Sequence, residues 1–283
     1  FPGDPIWEGP NRPSGANWPY FIQPDTAEAY GKNDLLTFIL DASGDTIRRM
    51  EWDVEPGLNQ ARWNLRTDGV HWPELSVRGA DVEVPGSGPV ALPGTYQVIM
   101  ELGQNRSSQE LVIRPDPRVP FDGVAAGVAF EHVQSLAETI ATADAALQFV
   151  AKAFKVIDAV SPSWSHLSSS ERDSLNEITD SLRTALREVQ EMWTLPSDFK
   201  GYDHVTRRMS DDLWNAMGLV EEGHIPGANA IRAAQVAEDQ ALKLESAVDD
   251  VYDGIWLRWL AAVHATDRSP ARLLNFIGTS TSN

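Results

Sequence analysis

The sequence of 283 residues contains no cysteine. Disulfides, thiolate metal sites and cysteine nucleophiles are therefore excluded, although a cysteine-free protein suits an oxidising periplasm as well as a reducing cytosol. The sequence also lacks an apolar run long enough to cross a bilayer, because its most apolar helical stretch, IWLRWLAAVHA, is short and contains Arg258. The first residues, FPGDPIWEGP, include neither an initiator Met nor a basic segment followed by an apolar one. We expect them to begin a processed or excised piece.

Positive charge is scarce. The chain has 23 Lys and Arg residues against 41 Asp and Glu residues, which gives a formal net charge of −18. Contacts to phosphate need a basic face, so this balance disfavours nucleic acid and anionic lipid as partners. The acidic residues are spread over both halves without a polyacidic tail, a pattern typical of a solvated surface.

The familiar catalytic and cofactor motifs are also missing. The six histidines are scattered, with no pair at i, i+4, and no GxSxG, P-loop or GxGxxG motif occurs. Adjacent carboxylates such as Asp211 and Asp212 point about 100° apart on a helix, so they do not converge on a substrate. The segment DASGD lacks the downstream bidentate Glu of a calcium loop and fits a hairpin turn better. We predict no catalytic residue, no cofactor and no metal site.

The main positive feature is a change of hydrophobic period near Arg118. Before it, short strand-like stretches alternate with turns: DLLTFILDASGDTIRRMEW reads as two strands around a Ser-Gly turn, and LPGTYQVIMELG and SSQELVIRPDPR each read as one strand. About six or seven short strands in about a hundred residues predict an antiparallel β-sandwich over residues 1–118. A long Gly- and Pro-rich loop interrupts it at about residues 70–92.

One predicted strand, in the segment PGLNQARWNLRTDG, has two different faces. One face carries Ala61, Trp63 and Leu65, and the other carries Gln60, Arg62, Asn64 and Arg66. We expect Trp63 to be a core residue, because apolar alternation marks the buried side of a strand. The polar face is then a solvated or partner-facing surface. Arg62 and Arg66 are candidates for docking an acidic partner, since guanidinium groups bind carboxylates bidentately.

After residue 118 the apolar residues recur every three or four positions, which is the pattern of packed helices. One such series runs through Val133, Leu136, Ile140, Ala143, Leu147, Val150, Phe154 and Ile157, and others follow Leu175 and Ala230. The segment SSSE at Ser168–Glu171 has the form of a capping box. The spacing predicts an up-and-down four-helix bundle over residues 119–283.

Tryptophan is the compositional exception, with ten residues. Trp7, Trp18 and Trp72 fall in Pro- and Gly-rich segments that we interpret as loops. An exposed indole there can stack on a sugar or anchor a partner protein, so these three are candidate partner-binding residues. The alternative is that they are buried, as large aromatic side chains usually are. Trp256 and Trp259 are expected to cover the end of the bundle or to meet the sandwich.

Five segments carry a resemblance to a known family. In order they read GPNRPSGANWPYFI, LDASGDTIRRM, PGLNQARWNLRTDG, LPGTYQVIMELG and SSQELVIRPDPR. Over roughly residues 1–118 the chain resembles the C-terminal region of bacterial BNR-repeat, sortilin-like (VPS10-type) propeller proteins. The resemblance implies an Ig-like sandwich of the FlgD type, a helical segment after it, and export to the periplasm or cell surface. No propeller and no Asp box (Ser-x-Asp-x-Gly-x-Thr-Trp) occurs in this sequence, so no catalytic residue is carried over.

We therefore expect a multidomain α+β protein that is a non-catalytic structural or interaction subunit. It would dock, through protein partners, on the periplasmic or extracellular face of a larger assembly such as a membrane-protein complex. One alternative is the accessory C-terminal region of a propeller glycoside hydrolase. Another is a carbohydrate-binding module that uses Trp7, Trp18 or Trp72.

Overall fold

The computed structural model describes residues 15–73, 87–195, 208–220 and 224–266. The candidate residue Trp7 lies outside these ranges. The described residues form two compact units: a strand unit of residues 15–68 and 87–123, and a helical unit of residues 69–73 together with those from 124 onward. The division falls after residue 123, where the first long helix begins, five residues beyond the change of hydrophobic period near Arg118.

The strand unit consists of antiparallel strands and one short helix, α1 (Pro24–Ala27). The strands are β1 (Ala16–Ile22), β2 (Leu35–Leu40), β3 (Thr46–Trp52), β4 (Gly57–Trp63), β5 (Arg66–Asp68), β6 (Ser87–Val90), β7 (Gly94–Leu102) and β8 (Asn105–Ile113). They form a four-stranded sheet in the order β3-β2-β7-β8 and two pairs, β1-β4 and β5-β6. Strand β6 lies within the range of about residues 70–92 for which the sequence predicts a long loop.

The turns follow from local sequence. Between β2 and β3, the Asp41 carboxylate accepts hydrogen bonds from the amides of Ser43 at 2.8 Å and Asp45 at 3.0 Å. This is the turn chemistry expected of a short acidic side chain. Between β7 and β8, a two-residue loop joins Leu102 to Asn105, and Gly103 takes a φ of +59°. A positive φ at the first loop residue only is typical of a type II′ hairpin turn.

The core of the strand unit takes side chains from both the four-stranded sheet and the β1-β4 pair. Ile39 and Val98 of the sheet and Trp63 and Ala61 of β4 are buried. Trp63 is fully buried, meets Tyr96 edge-to-face at 5.9 Å, and donates from Nε1 to the carbonyl of Arg66 at 2.7 Å. The prediction that Trp63 is a core residue is confirmed.

The helical unit contains α2 (Gly123–Val160), a 3-10 turn (Ser161–His166), α3 (Ser169–Trp193), α4 (Met209–Gly218), α5 (Ala228–Val251), a π-helical turn (Tyr252–Trp256) and α6 (Leu257–Ala265). With 38 residues, α2 is about 57 Å long at 1.5 Å per residue. The predicted capping box is present. The Ser168 hydroxyl accepts from the amide of Glu171, and the Glu171 carboxylate accepts from the amide of Ser168 at 3.0 Å.

The interior of the helical unit follows the predicted three-and-four spacing. Leu147, Leu182 and Leu244, from three different helices, are all fully buried in one cluster. Trp256 and Trp259 are buried too and stack with their rings 5.2 Å apart. Among the described helices, none combines the length and the apolar character needed to span a bilayer. The α+β class is confirmed: an antiparallel strand region precedes a helical region.

Candidate docking surface

The outward side of the β1-β4 pair combines polar groups with two exposed apolar side chains. The antiparallel register places Phe21 opposite Leu58, and the side chains alternate between buried and exposed along both strands. Phe21 is 64% exposed and Leu58 is 77% exposed. The outward residues are Asn17, Pro19 and Phe21 of β1 and Leu58, Gln60 and Arg62 of β4. We call this surface the Phe21 face.

The Phe21 face includes Arg62 but not Arg66. Leu65 has a left-handed backbone with φ +64°, which ends β4 and resets the alternation before β5 begins. Arg66 is half-buried and donates from its guanidinium to the carbonyl of Gly88 at 3.0 Å. The prediction that both arginines share one face with Gln60 was wrong, because alternation holds only while the backbone stays extended.

A groove opens between β1 of the β1-β4 pair and β8 at one end of the four-stranded sheet. Its volume is about 750 Å³, and its lining includes Trp18 and Tyr20 of β1, Met100 of β7, and Asn105 and Gln109 of β8. Trp18 is half-buried and donates from Nε1 to the sulfur of Met100 at 3.4 Å. The interpretation of Trp18 as a loop residue was wrong. The residue after it, Pro19, lacks an N–H, and it is tolerated because β1 has β4 as its only partner strand within the described ranges.

Tyr20 keeps its phenol protonated in this groove. Burial raises the pKa of Tyr20 above its ordinary value, and the carboxylate of Glu55 raises it further. Both effects disfavour the phenolate, since burial penalises a charge and a nearby negative charge repels it. At neutral pH the Tyr20 hydroxyl is therefore a neutral donor and acceptor at the groove wall.

Trp72, the third loop candidate, packs within the helical unit. Its ring lies 4.6 Å from that of Trp214 in α4, and it contacts the buried cluster together with Val70. Trp72 is half-buried and its Nε1 has no hydrogen-bond partner among the described residues, whereas Trp214 is 58% exposed. The exposed indole of this pair is thus that of Trp214, which lies on a helix and not in a Pro- and Gly-rich segment.

The helical unit also has a smaller cavity of about 300 Å³, which brings together two histidines that lie far apart in sequence. His132 of α2 and His224, which precedes α5, line it with Ile225 and Leu219. Nε2 of His132 is buried and has no hydrogen-bond partner in the part of the chain that the structure describes. Within the described ranges, no group of three or more His, Asp or Glu side chains is placed to hold a metal ion.

The apolar pair of the Phe21 face has no distinctive signal in the sequence. Phe21 lies in the segment GPNRPSGANWPYFI, and Leu58 lies near the start of the segment PGLNQARWNLRTDG. Each is an isolated apolar residue on a polar face, which is common on protein surfaces. Only the register of β1 against β4 shows that they are neighbours.

Comparisons with known proteins add no relative to this picture. No protein-family model, no curated protein and no solved structure matches the chain.

Proposed function

We propose that this protein is a non-catalytic interaction subunit that docks on a protein partner through the Phe21 face. The observation that carries the proposal is the cross-strand pair Phe21–Leu58, two large apolar side chains more than three-fifths exposed and side by side. Interfaces are distinguished by an apolar, often aromatic centre with a polar rim. Gln60 and Arg62 supply such a rim on the same face.

We further propose that the strand unit is an Ig-like sandwich of the FlgD type and that the helical unit is an up-and-down four-helix bundle. The shared core between the four-stranded sheet and the β1-β4 pair supports a sandwich. The Tyr96 hydroxyl donates to the carbonyl of Leu92 at 2.6 Å. A tyrosine that bonds a backbone carbonyl a few residues upstream is a hallmark of Greek-key sandwiches.

The proposal extends to location and host. A sandwich and a bundle of the kind found after sortilin-like propellers fit an exported protein on the periplasmic or extracellular face of a larger complex. A membrane-protein complex with an exposed domain is one such host. The acidic surface, with a net charge of −18, supports protein partners over nucleic acid.

The test compares three forms of the chain in its native source under mild extraction: the wild type, the double variant Phe21→Ser/Leu58→Ser, and Ile231→Ser. Ile231 is a matched control because it is 57% exposed but lies on α5. We expect one defined protein to co-elute in fixed stoichiometry with the wild type and the control. Loss of an aromatic anchor from an interface commonly costs about 2 kcal/mol or more, about 30-fold in affinity, so the double variant should elute without that protein.

Two outcomes of this experiment contradict the proposal. One is a wild-type chain that elutes alone. The other is a double variant that retains the partner as well as the wild type does, which would place the docking surface elsewhere.

A second candidate function is glycan binding in the groove between β1 and β8. The groove is lined by the aromatic residues Trp18 and Tyr20 and by two amide residues, Asn105 and Gln109. Sugars stack on aromatic rings and hydrogen-bond to amides, so this lining suits a carbohydrate. A glycan array should show a hit that is lost in Asn105→Ala/Gln109→Ala and kept in Ile231→Ser. An array without any hit removes this candidate.

A further inference from the structure

Strand β8 forms an open edge of the four-stranded sheet. Its nine residues, Asn105–Ile113, pair with β7 in an unbroken register, and β7 is its only partner strand among the described residues. Edge strands are usually blocked by proline, lysine or a bulge, because unpaired N–H and C=O groups invite another strand. Residues 105–113, NRSSQELVI, contain neither proline nor lysine. Positions 105–110 are all exposed.

The hairpin turn fixes which backbone groups face this edge. In a two-residue II′ hairpin the flanking pair, here Leu102 and Asn105, is hydrogen-bonded, and hydrogen-bonded pairs then alternate along the ladder. Asn105 and Ser107 therefore direct their N–H and C=O groups toward β7. Arg106, Ser108 and Glu110 direct theirs toward the open edge, and their side chains share one face of the sheet.

The charges along this edge are self-complementary. Arg106 and Glu110 lie two residues before and two residues after Ser108. If a second copy of β8 runs antiparallel across a twofold axis at Ser108, Arg106 of each copy lies opposite Glu110 of the other. The same register places Ser108 of one copy opposite Ser108 of the other. In each of these pairs, the N–H and C=O groups of the two residues point toward each other and can form hydrogen bonds. The positions of the charges and the alternation of outward-facing backbone groups thus favour the same register.

We propose that two copies of this protein associate by antiparallel β8–β8 pairing centred on Ser108, which joins their sheets into one of eight strands. Three residue pairs would form about six backbone hydrogen bonds. Arg106 already pairs with Glu101 on β7 at 3.3 Å, so in the dimer its guanidinium lies between two carboxylates. Such an interface is smaller than a standard one, so we expect a weak dimer that forms only at high protein concentration.

Charge variants test the register. Arg106→Glu and Glu110→Arg each place like charges opposite one another twice in the homodimer, so each should weaken self-association about tenfold or more. A mixture of the two variants restores both opposite-charge pairs. We expect sedimentation equilibrium from micromolar to millimolar concentration to show a dimer for the wild type, mainly monomer for each variant, and a heterodimer for the mixture.

A single cysteine tests the geometry, since the chain has none of its own. Hydrogen-bonded residues on antiparallel strands have Cα atoms about 5.5 Å apart, within reach of a disulfide. Ser108→Cys should form a disulfide-linked dimer under mild oxidation, faster than Ser107→Cys. Ser107 is the matched control because it lies opposite Gln109, not itself, in this register.

Two results would overturn the inference. A wild-type chain that stays monomeric at the highest concentration, with equal oxidation rates for the two cysteine variants, shows that β8 does not pair with itself. A dimer that neither charge variant weakens shows that another surface mediates it.

Discussion

Removing one hydroxyl, in Tyr96→Phe, tests how the strand unit is held together. The variant keeps the ring and its edge-to-face contact with Trp63, and it loses the hydrogen bond to the carbonyl of Leu92. A net intramolecular hydrogen bond contributes about 1 kcal/mol. Leu92 is partly exposed, so water can replace the lost donor, and we expect the cost to stay near that figure. At a typical urea slope of about 2 kcal/mol per molar, the midpoint falls by about 0.5 M.

The same variant changes the pH dependence of stability. Burial, and then the carboxylate of Asp41, raise the pKa of Tyr96 above its ordinary value of about 10. A group whose pKa is higher in the folded state contributes its full stability below the unfolded pKa and loses it as pH rises through the folded pKa. The wild type therefore loses stability above about pH 10, and Tyr96→Phe loses less. Some loss of stability at alkaline pH remains in the variant, because the pKa of Tyr20 is also raised.

Urea titrations at neutral pH and at about pH 10.5 measure both effects, and hydrogen exchange of the β7 amides reports the strand unit by itself. Thr95→Ala is the control, since Thr95 is an exposed neighbour on the same strand. A midpoint that does not change at neutral pH would show that the Leu92 hydrogen bond contributes nothing. An alkaline slope equal to that of the wild type would show that the ionisation of Tyr96 is not coupled to folding.

Two further stability predictions can be checked by the same denaturation assays. Gly103→Ala destabilises the protein by at least about 1 kcal/mol, because the φ of +59° is strained for any residue with a Cβ. The added methyl group also meets the side chain of Tyr30. An unchanged melting temperature contradicts this prediction. Thr179→Val leaves the buried indole N–H of Trp259, which donates to the Thr179 hydroxyl at 2.9 Å, without its acceptor and costs about 1–3 kcal/mol. Ser181→Ala, an exposed hydroxyl on the same helix, is its control and should cost much less.

Much of the fold was predictable because it depends on local periodicity. Alternation identified Trp63 as buried, and the capping box at Ser168 marked the start of a helix that the structure contains. The three-and-four spacing identified buried positions such as Leu147. These patterns repeat over a few residues, so neighbours in sequence suffice to detect them.

The candidate site depended on contacts between distant parts of the chain. The left-handed backbone of Leu65 places Arg62 and Arg66 on different faces, although no proline or glycine at that point indicates the end of a strand. The exposure of Trp18 and Trp72 depended on their partners in space: a methionine sulfur 82 positions away for the first, and the ring of Trp214 for the second.

The sequence by itself determined the α+β class, the order of strands before helices, and the absence of cysteine chemistry. Tertiary structure alone decided which exposed residues are neighbours. Phe21 and Leu58 are 37 positions apart, and only the antiparallel register makes them one apolar patch. The physical reason is that a strand's pattern specifies which face is buried, whereas the partner strand and its register are set by packing and turn geometry over long sequence distances.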